Sequence, residues 1–509
     1  MLAAIRSAAV VGIDAYDVTV EIDVANGLPS FTLVGLASGA VKESRERVMA
    51  ALANAGLALP PRKTTVNLSP ADRPKNGTAF DLPIALALLC AHGVLDATGL
   101  RDIAVVGELG LDGTLRPVRG VLPVARHVAR TRGCTLVVPP GNVAEAALVS
   151  SLKIATAGTL GELIAQLRRG DLPRAERGAA RSAPDDTADD FADVVGQPRA
   201  ARALEIAAAG GHNVLLLGPP GAGKTMLARR LPSILPPLEE SEALEVVALH
   251  SVAGLLAPDA PPPLRRPLRA PHHTISQAGL IGGGAGPRPG EVSLAHHGVL
   301  FLDEVLELPR YVLDAMRQPM EDGRVVIVRA GGSVMFPARF SLIAAANPCP
   351  CGRLGAASGV PCTCGASDIA RYRARLSGPL ADRIDLHVPV RPVAPELLAS
   401  RARAECSAAI RARVTAARER QRARFAAWPE ISCNARAPAR VLLGDGAVDA
   451  AVTRELVRLS SAAGLTARGF DRVLRVARTI ADLAQRDAVT IDDVREAVRY
   501  RGATPVAGD

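Results

Sequence analysis

One stretch, Gly218-Pro219-Pro220-Gly221-Ala222-Gly223-Lys224-Thr225, fits the pattern G-x-x-x-x-G-K-[ST]. It follows a short apolar run that ends at Leu217, and a helical pattern begins at Thr225. In the order strand, glycine loop, helix, backbone N–H groups can surround phosphates at the amino end of the helix. We expect the Lys224 ammonium to reach the β- and γ-phosphates and the Thr225 hydroxyl to bind Mg²⁺. The stretch therefore predicts an α/β nucleotide-binding fold in which these eight residues bind the nucleotide.

Two further strands of the same predicted sheet end in polar residues. Asp303 and Glu304 follow the apolar run 299–302, and Asn347 follows the run 340–346. We expect Asp303 to hold Mg²⁺ through water, Glu304 to polarise the attacking water, and Asn347 to orient that water. The alternative is that Asp303 and Glu304 are only a solvated strand end. With the phosphate loop upstream, the residues favour hydrolysis over binding alone.

The bulk composition is that of a globular protein. The chain has 509 residues, 48% of them hydrophobic, which is long enough for two or three domains. No uncharged apolar run reaches the roughly 18 residues of a membrane span, and the N-terminus lacks a signal-peptide pattern. We therefore interpret the protein as cytoplasmic, with no membrane partner. The net charge of +9 is compatible with nucleic-acid binding but is weak evidence alone.

Four of the eight cysteines cluster within sixteen residues. They form two Cys-x-Cys pairs, Cys349 with Cys351 and Cys362 with Cys364, on either side of a loop that contains glycine. Thiolates in this arrangement can converge on one tetrahedral Zn²⁺. Reduced free thiols and a redox switch are the alternatives. The remaining four are interpreted as packing residues: Cys90, Cys134, Cys406 and Cys433.

A polar segment, residues 171–190, predicts an exposed linker that divides the chain. Before it, strand and helix patterns alternate over residues 1–170, which predicts a separate α/β domain. After it, the nucleotide-binding module spans 191–392, and helical patterns predict a C-terminal helical domain over 393–509.

Three segments invite a functional as well as a structural interpretation. Residues 323–337 predict a β-hairpin that turns at Ala330-Gly331-Gly332, with Arg329 beside its tip. The glycine-rich stretch 279–286 and this hairpin either simply connect elements or line the central channel of a ring. The stretch 401–424 carries eight arginines, which indicates either a solvated amphipathic helix or a sequence-independent phosphate-contacting surface.

Four motifs together resemble those of the AAA+ ATPases of the magnesium-chelatase-like branch: GPPGAGKT, LFLDE, AAANPCPCG and LSGPLADRIDLHV. Within that branch, nearly the whole chain resembles the ComM (YifB-type) competence family. The resemblance implies three parts: an N-terminal Lon-protease-like α/β domain of the ribosomal protein S5 domain 2-like fold, a P-loop AAA+ α/β ATPase domain, and a C-terminal helical lid.

The same resemblance implies function. It implies ATP and Mg²⁺ as cofactors, a homo-oligomeric ring, usually a hexamer, and single-stranded and branched DNA as partners. The activity it implies is ATP-dependent branch migration of DNA during natural transformation and homologous recombination. A magnesium-chelatase-type ATPase and a protein-remodelling ATPase are the alternatives.

The resemblance also assigns roles by position. Arg383 matches the arginine finger that a neighbouring subunit inserts into the ATP site, the alternative being an ion pair with Asp382 or Asp385. Arg468 matches the second sensor, an arginine on the lid near the γ-phosphate. The 323–337 hairpin matches an insertion that faces the DNA channel, which makes Arg324 and Arg329 candidate DNA contacts. Residues 195–197 match the segment that packs on the adenine.

The N-terminal domain departs from its proteolytic relatives. Ala79 stands at the position of the catalytic serine and Leu122 at that of the lysine. A role for Lys75 or Thr78 instead lacks the necessary partner. The sequence therefore predicts a non-proteolytic scaffold or binding module.

Overall fold

A computed structural model describes residues 2–36, 38–172, 174–175, 189–258, 262–284, 286–329, 332–355, 360–399, 404–444 and 446–501. Most of the predicted linker, the hairpin tip at Ala330 and Gly331, and the arginines at 401 and 403 lie outside the described residues.

The N-terminal part is a seven-stranded mixed sheet with helices packed on it. The strand order is β3-β4-β2-β1-β5-β8-β9, with β1 and β2 antiparallel and β5, β8 and β9 parallel. The strands of this sheet are β1 (Leu2–Val11), β2 (Asp14–Ala25), β3 (Ser30–Val34), β4 (Lys63–Ser69), β5 (Ile103–Val105), β8 (Thr135–Val138) and β9 (Lys153–Thr156). A separate two-stranded ribbon pairs β6 (Glu108–Leu109) with β7 (Leu115–Arg116). The helices of the N-terminal part are α1 (Gly39–Lys42), α2 (Ser44–Asn54), α3 (Asp81–Ala91), α4 (Val121–Val128), α5 (Val143–Ala146) and α6 (Leu160–Arg169).

The sequence explains this arrangement locally. Val18, Val20 and Ile22 alternate with more exposed residues along β2, so one face of the strand joins the core. All residues of α3 are buried. Its one charged residue, Asp81, accepts two hydrogen bonds from Arg47, at 2.6 and 2.9 Å, which offsets the cost of burying the carboxylate.

The middle part is built on a five-stranded parallel sheet of order β11-β14-β17-β10-β18. Its strands are β10 (Val214–Leu217), β11 (Leu268–Arg269), β14 (Val299–Leu302), β17 (Ser341–Ala346) and β18 (Leu386–Pro389), and its two-stranded ribbons are β12 (Gly282–Gly283) with β13 (Arg288–Pro289) and β15 (Arg324–Arg329) with β16 (Gly332–Pro337). Its helices are α7 (Pro198–Gly210), α8 (Lys224–Ile234), α9 (Glu240–Ala253), α10 (Gln277–Ile281), α11 (Glu291–Leu294), α12 (Arg310–Ala315), α13 (Arg317–Asp322), α14 (Ala366–Arg373), α15 (Gly378–Ala381) and α16 (Pro395–Ala399). Because the strands are parallel, β10, β14 and β17 end at one edge of the sheet.

The predicted hairpin is confirmed by the pairing of β15 with β16. Val325 and Ile327 point into the core, whereas Val326 and Val328 are 42% and 71% exposed. One face of β15 therefore anchors the hairpin and the other is presented outward.

The C-terminal part is helical, as predicted. Its helices are α17 (Ser407–Arg424), α18 (Ala439–Gly444), α19 (Ala450–Ala462), α20 (Ala467–Leu483) and α21 (Ile491–Arg499). Ile410 and Val414 bury one face of α17 in the core that this part shares with the five-stranded sheet. Several α17 arginines bind acceptors of the chain itself: Arg413 binds Glu205 and Glu405, Arg418 binds Ala208 O, Arg420 binds Asp487, and Arg422 binds Glu239. These contacts favour the interpretation of α17 as a partly solvated amphipathic helix.

The N-terminal part and the middle part meet at α4 and α9. Leu122 is fully buried against Val247 and Ala248. Ser251 Oγ accepts a hydrogen bond from Gly120 N (2.9 Å) and donates one to the Glu145 carboxylate. Burial raises the pKa of Glu145, although its hydrogen bonds with Ser251 and the Leu122 N–H oppose that effect. Leu122, which the resemblance matches to the position of a catalytic lysine, thus lies in the contact between these two parts.

None of the helices in the described part of the chain combines the length and apolar composition needed to span a bilayer.

Candidate nucleotide-binding site

The glycine loop joins β10 to α8 at the carboxyl edge of the parallel sheet. Gly223, which immediately precedes α8, has φ 90°, a value that a side chain would strain. A Cβ on Gly218 would collide with the carbonyl oxygen of Val390. These two positions require glycine because of backbone shape and close approach, and they leave the amino end of α8 open for a phosphate.

Lys224 lies inside the loop and joins two of the predicted site segments. Its Nζ donates hydrogen bonds to Gly218 O (2.6 Å), Pro219 O (3.0 Å) and Asn347 Oδ1 (3.1 Å). Burial lowers the pKa of Lys224, while Asp303 and Glu304 oppose that effect. The ammonium is held by weak neutral acceptors, so a phosphate can replace them with a charge-assisted partner.

The two residues predicted to bind Mg²⁺ contact each other. Thr225 Oγ1 donates a hydrogen bond to Asp303 Oδ2 at 2.7 Å, and Glu304 N donates to Asp303 Oδ1 at 2.9 Å. Hydroxyl and carboxylate oxygens are the ligand type that Mg²⁺ takes beside substrate phosphates. A cavity of about 330 Å³ is lined by the loop together with Asp303, Glu304 and Asn347. The donor set and the space therefore fit a nucleoside triphosphate with Mg²⁺.

Glu304 combines a rare backbone conformation with an unpredicted partner. Its φ of 49° is in the left-handed region, which costs a non-glycine residue about 1–3 kcal/mol. His273 Nδ1 lies 3.2 Å from Glu304 Oε2, and the centroids of the His272 and His273 rings lie 4.1 Å apart with the rings tilted by 32°. Sequence reasoning missed His273. The signal was available, because the His-His pair follows β11, the strand that pairs with β14.

The two arginines assigned by resemblance do not line this cavity. Arg383 is 7% exposed, forms an ion pair with Glu321, and donates to Pro379 O at 2.6 Å. Its partner is therefore neither of the two aspartates considered from the sequence; Asp385 instead binds Arg472 and His212. Arg468 is exposed in the first turn of α20.

Of the segment matched to adenine packing, Gln197 is buried beside the loop. Its Nε2 donates to Arg391 O (2.6 Å) and to Ala222 O (3.3 Å). This contact ties residues 195–197 to the phosphate loop.

The two inserted ribbons lie side by side. A Cβ on Gly282 would be 3.1 Å from Ile327 Cδ1, and one on Gly283 would be 3.6 Å from Arg329 Nη2. Arg324 and Arg329 are both exposed. The turn between β1 and β2 reaches the second arm of the hairpin, because a Cβ on Gly12 would be 2.6 Å from Met335 O. The structure thus brings three distant segments together around one exposed hairpin.

The four clustered cysteines converge. The Sγ atoms of Cys349, Cys351 and Cys362 are 3.5–3.7 Å apart, and all four Sγ atoms lie within 4.8 Å of one another. Tetrahedral Zn²⁺ with Zn–S bonds of about 2.3 Å separates its sulfurs by about 3.8 Å. The thiols therefore fit one Zn²⁺. Cys90, Cys134 and Cys433 are buried as predicted, but the packing interpretation is wrong for Cys406, which is exposed just before α17.

The place that corresponds to a Lon-type catalytic pair holds Ala79, which is partly buried, and Leu122, which is fully buried. Lys75 is also fully buried and donates to Pro70 O, while the Thr78 hydroxyl binds Glu108. Lys75 and Thr78 are therefore engaged in separate structural contacts.

Comparison with known proteins covers nearly the whole chain. Three family models match: "Magnesium chelatase, subunit ChlI" over residues 190–398, "Subunit ChlI of Mg-chelatase" over 20–142, and "Magnesium chelatase, subunit ChlI C-terminal" over 404–501. An uncharacterized protein of Mycobacterium tuberculosis is 44% identical over 97% of both chains. The competence protein ComM of Haemophilus influenzae and the protein YifB of Salmonella typhimurium are each 42% identical, over 98% of this chain and 97% of their own.

Proposed function

The chain belongs to the YifB and ComM family of magnesium-chelatase-like AAA+ ATPases, and from that premise we propose that it is an ATP-driven ring motor on DNA. More specifically, we propose that the motor is a branch migration helicase that promotes integration of incoming DNA during natural transformation and homologous recombination. The observation that carries the proposal is the exposed β15–β16 hairpin beside the glycine ribbon, with Arg324 and Arg329 outward.

The residues of the nucleotide site divide the chemistry among them. Lys224 exchanges its carbonyl acceptors for β- and γ-phosphate oxygens, and Thr225 and Asp303 hold Mg²⁺. The metal supplies positive charge to the phosphate oxygens. Glu304 accepts a proton from the attacking water while Asn347 orients it.

We propose that this site is completed by a second copy of the chain. Arg383 of the neighbouring subunit would stabilise charge on the transferring phosphoryl group. To do so it must leave Glu321, its partner within the chain. Arg468, exposed on the lid, would approach the γ-phosphate in the assembled ring. We take the ring to be a hexamer.

The hairpin would contact DNA through the phosphate backbone. Guanidinium groups bind phosphates without reading sequence, as translocation over any DNA requires. Movement of the ATPase domain would carry the hairpin, because Val325 and Ile327 anchor it in the core beneath. The ring would then pull on phosphates with each cycle of hydrolysis.

We place the parts of this motor at residues 1–170, 171–190, 191–392 and 393–509: a non-proteolytic Lon-like domain, a linker, the ATPase core and the helical lid. The contact of Leu122 with α9 supports a scaffolding role for the first domain, because the former catalytic position faces the ATPase.

The test of the proposed function is ATP hydrolysis with and without a mobile four-way DNA junction, scored for strand exchange in the same tube. We expect hydrolysis to be stimulated and the junction to be resolved, with steep loss of both as salt is added. In the double variant Arg324→Ala, Arg329→Ala, the stimulation of ATP hydrolysis by DNA should be about tenfold lower. Arg310→Ala, an exposed arginine on α12, is the control. Hydrolysis indifferent to every DNA tested would contradict the proposal.

One observation favours protein remodelling as a second candidate. Val326, Val328 and Met335 expose apolar surface on the same hairpin, and apolar pore loops can grip unfolded chains. An unfolded protein that stimulates hydrolysis when DNA does not would establish this function instead.

We further propose that the four-cysteine cluster holds structural Zn²⁺. Protein purified without chelator should contain about one zinc per chain by elemental analysis, and Cys362→Ser should lower that content at least fivefold. Cys406→Ser removes an exposed thiol outside the cluster and should retain the metal. Less than a tenth of an equivalent in the unaltered protein would exclude the zinc site.

A further inference from the structure

A second cavity lies at the edge of the ATPase sheet opposite the glycine loop. Its volume is about 320 Å³, and its floor is formed where strands begin, at Gly298 before β14 and Ser341 at the start of β17. The end of α17 and the segment after it cover the cavity. At about 3.3 Å per residue, the six residues of β17 put roughly 20 Å between this cavity and the nucleotide site. The two cavities are therefore separate sites.

The walls carry more positive than negative charge. Five arginines line the cavity, against two glutamates: Arg266, Arg339, Arg418, Arg422 and Arg436, with Glu239 and Glu242. Both glutamates are already engaged, Glu242 by Arg266 at 2.9 Å and Glu239 by Arg422 at 2.9 Å.

Three guanidinium groups remain without a carboxylate partner within 4 Å among the described residues. They belong to Arg339, Arg418 and Arg436, and of the three only Arg418 has a hydrogen-bonded acceptor there, the Ala208 carbonyl. Converging cations without counter-charge make a site for an anion.

The surrounding groups respond to this uncompensated charge. Burial lowers the pKa of Arg436, and the nearby Arg339 and Arg418 lower it further, against an opposing effect of Cys433. Burial alone would raise the pKa of Cys433, yet Arg418 and Arg436 bring it below its ordinary value. The lowered pKa of Cys433 is consistent with the positive charge that Arg418 and Arg436 place at this wall of the cavity.

The three arginines are held in place from different elements. The Arg339 N–H donates to His296 Nδ1 at 2.9 Å, and its carbonyl accepts from His297 N at 2.6 Å. Arg436 lies at the base of the hairpin, because a Cβ on Gly323 would be 2.9 Å from its Nη1. These contacts fix the backbone of Arg339 and place Arg436 beside the hairpin, the element proposed to move DNA.

The cavity also offers an aromatic surface. Trp428 is the only tryptophan of the chain and is 41% exposed at the cavity wall, next to buried Phe425. An indole face can stack on a nucleobase, while guanidinium groups bind phosphate. The volume is that of an ordinary small-ligand pocket, roughly 300–1,000 Å³.

We propose that this cavity is a second nucleotide site, which binds the phosphates of a nucleoside phosphate with Arg339, Arg418 and Arg436 and stacks its base on Trp428. The site is distinct from the glycine loop and does not depend on hydrolysis there.

The test is calorimetric titration of the full chain with AMP, ADP and pyrophosphate in a Lys224→Ala background, which weakens the first site. We expect micromolar to millimolar binding, accompanied by a change in Trp428 fluorescence. Arg436→Ala should weaken binding at least tenfold; its side chain has no hydrogen-bond acceptor in the described chain, so its loss orphans no partner. Arg454→Ala, an exposed arginine of α19 outside the cavity, should bind as the background does.

Three outcomes would overturn the inference. Binding that is absent in the Lys224→Ala background, or that Arg436→Ala and Arg339→Ala both leave unchanged, would show that the cavity is not a nucleotide site. Pyrophosphate binding as tight as that of AMP and ADP, with no change in Trp428 fluorescence, would show that no base is stacked there.

Discussion

Replacing Glu304 with glutamine is expected to lower kcat for ATP hydrolysis by about 10²–10⁴-fold. The amide cannot accept a proton from water, whereas the shape of the side chain is kept. Neither Lys224 nor Thr225 hydrogen-bonds the Glu304 side chain, so ATP affinity should change by less than about threefold. Single-turnover hydrolysis together with equilibrium binding of a fluorescent ATP analogue would measure both quantities.

Glu307→Gln is the matched control. Glu307 lies one turn further along, pairs with Arg375 at 3.0 Å, and does not line the cavity. The Glu307→Gln substitution should leave kcat within about twofold of the value for the unaltered protein. If Glu304→Gln hydrolysed ATP at the unaltered rate, the general base would be another residue, and His273, at 3.2 Å from Glu304, would be the first to examine.

Arg383→Ala is expected to lower kcat by about 10³-fold or more, the range that arginine fingers supply. The variant should still bind ATP, because Arg383 does not line the cavity of its own chain. The measurement is the steady-state rate at protein concentrations where the oligomer forms, with assembly followed by light scattering.

A mixing experiment separates a role in the neighbouring site from a role within the chain. Arg383→Ala has an intact glycine loop, and Lys224→Ala has an intact Arg383, so each is expected to be inactive alone. Mixed rings should regain measurable hydrolysis, because at some interfaces the intact glycine loop of an Arg383→Ala subunit meets the intact Arg383 of a Lys224→Ala subunit. Absence of any recovery in rings shown to be mixed would contradict the assignment of Arg383 as a finger.

Glu321→Gln distinguishes the finger from a structural ion pair. Loss of one member of a buried pair can destabilise a protein by about 3–5 kcal/mol, although Glu321 is half exposed and the cost here should be smaller. If Arg383 acts only by pairing with Glu321, both substitutions should reduce activity alike. If Arg383 acts in the neighbouring site, Glu321→Gln should retain activity, since it frees the guanidinium.

That the glycine loop, Asp303, Glu304 and Asn347 meet around one cavity was predictable, because the signals for it are local. The glycine loop, the Asp303-Glu304 strand end and Asn347 each follow an apolar strand, and parallel pairing brings such strand ends to one edge. The resemblance in turn predicted the fold class and the family, since it rests on four motifs in a fixed order.

Long-range partners were not predictable in the same way. Glu321 lies 62 residues before Arg383, and nothing in the spacing distinguishes it from other carboxylates. The second cavity brings together Arg339, which precedes β17, Arg418, which lies within α17, and Arg436, which follows α17. In the sequence, the arginines of α17 form one charged run, and only packing shows that several bind carboxylates while Arg418 faces a cavity.

The contact between Leu122 and α9 has a mechanical consequence. Helix α9 also carries Glu245, which binds both His296 and His297 immediately before β14, the strand that leads to Asp303 and Glu304. The contacts of α9 thus link the N-terminal sheet to the strand end that carries Asp303 and Glu304. Force applied to the N-terminal sheet would therefore reach Asp303 and Glu304 through the contact between α4 and α9, without passing along residues 171–190.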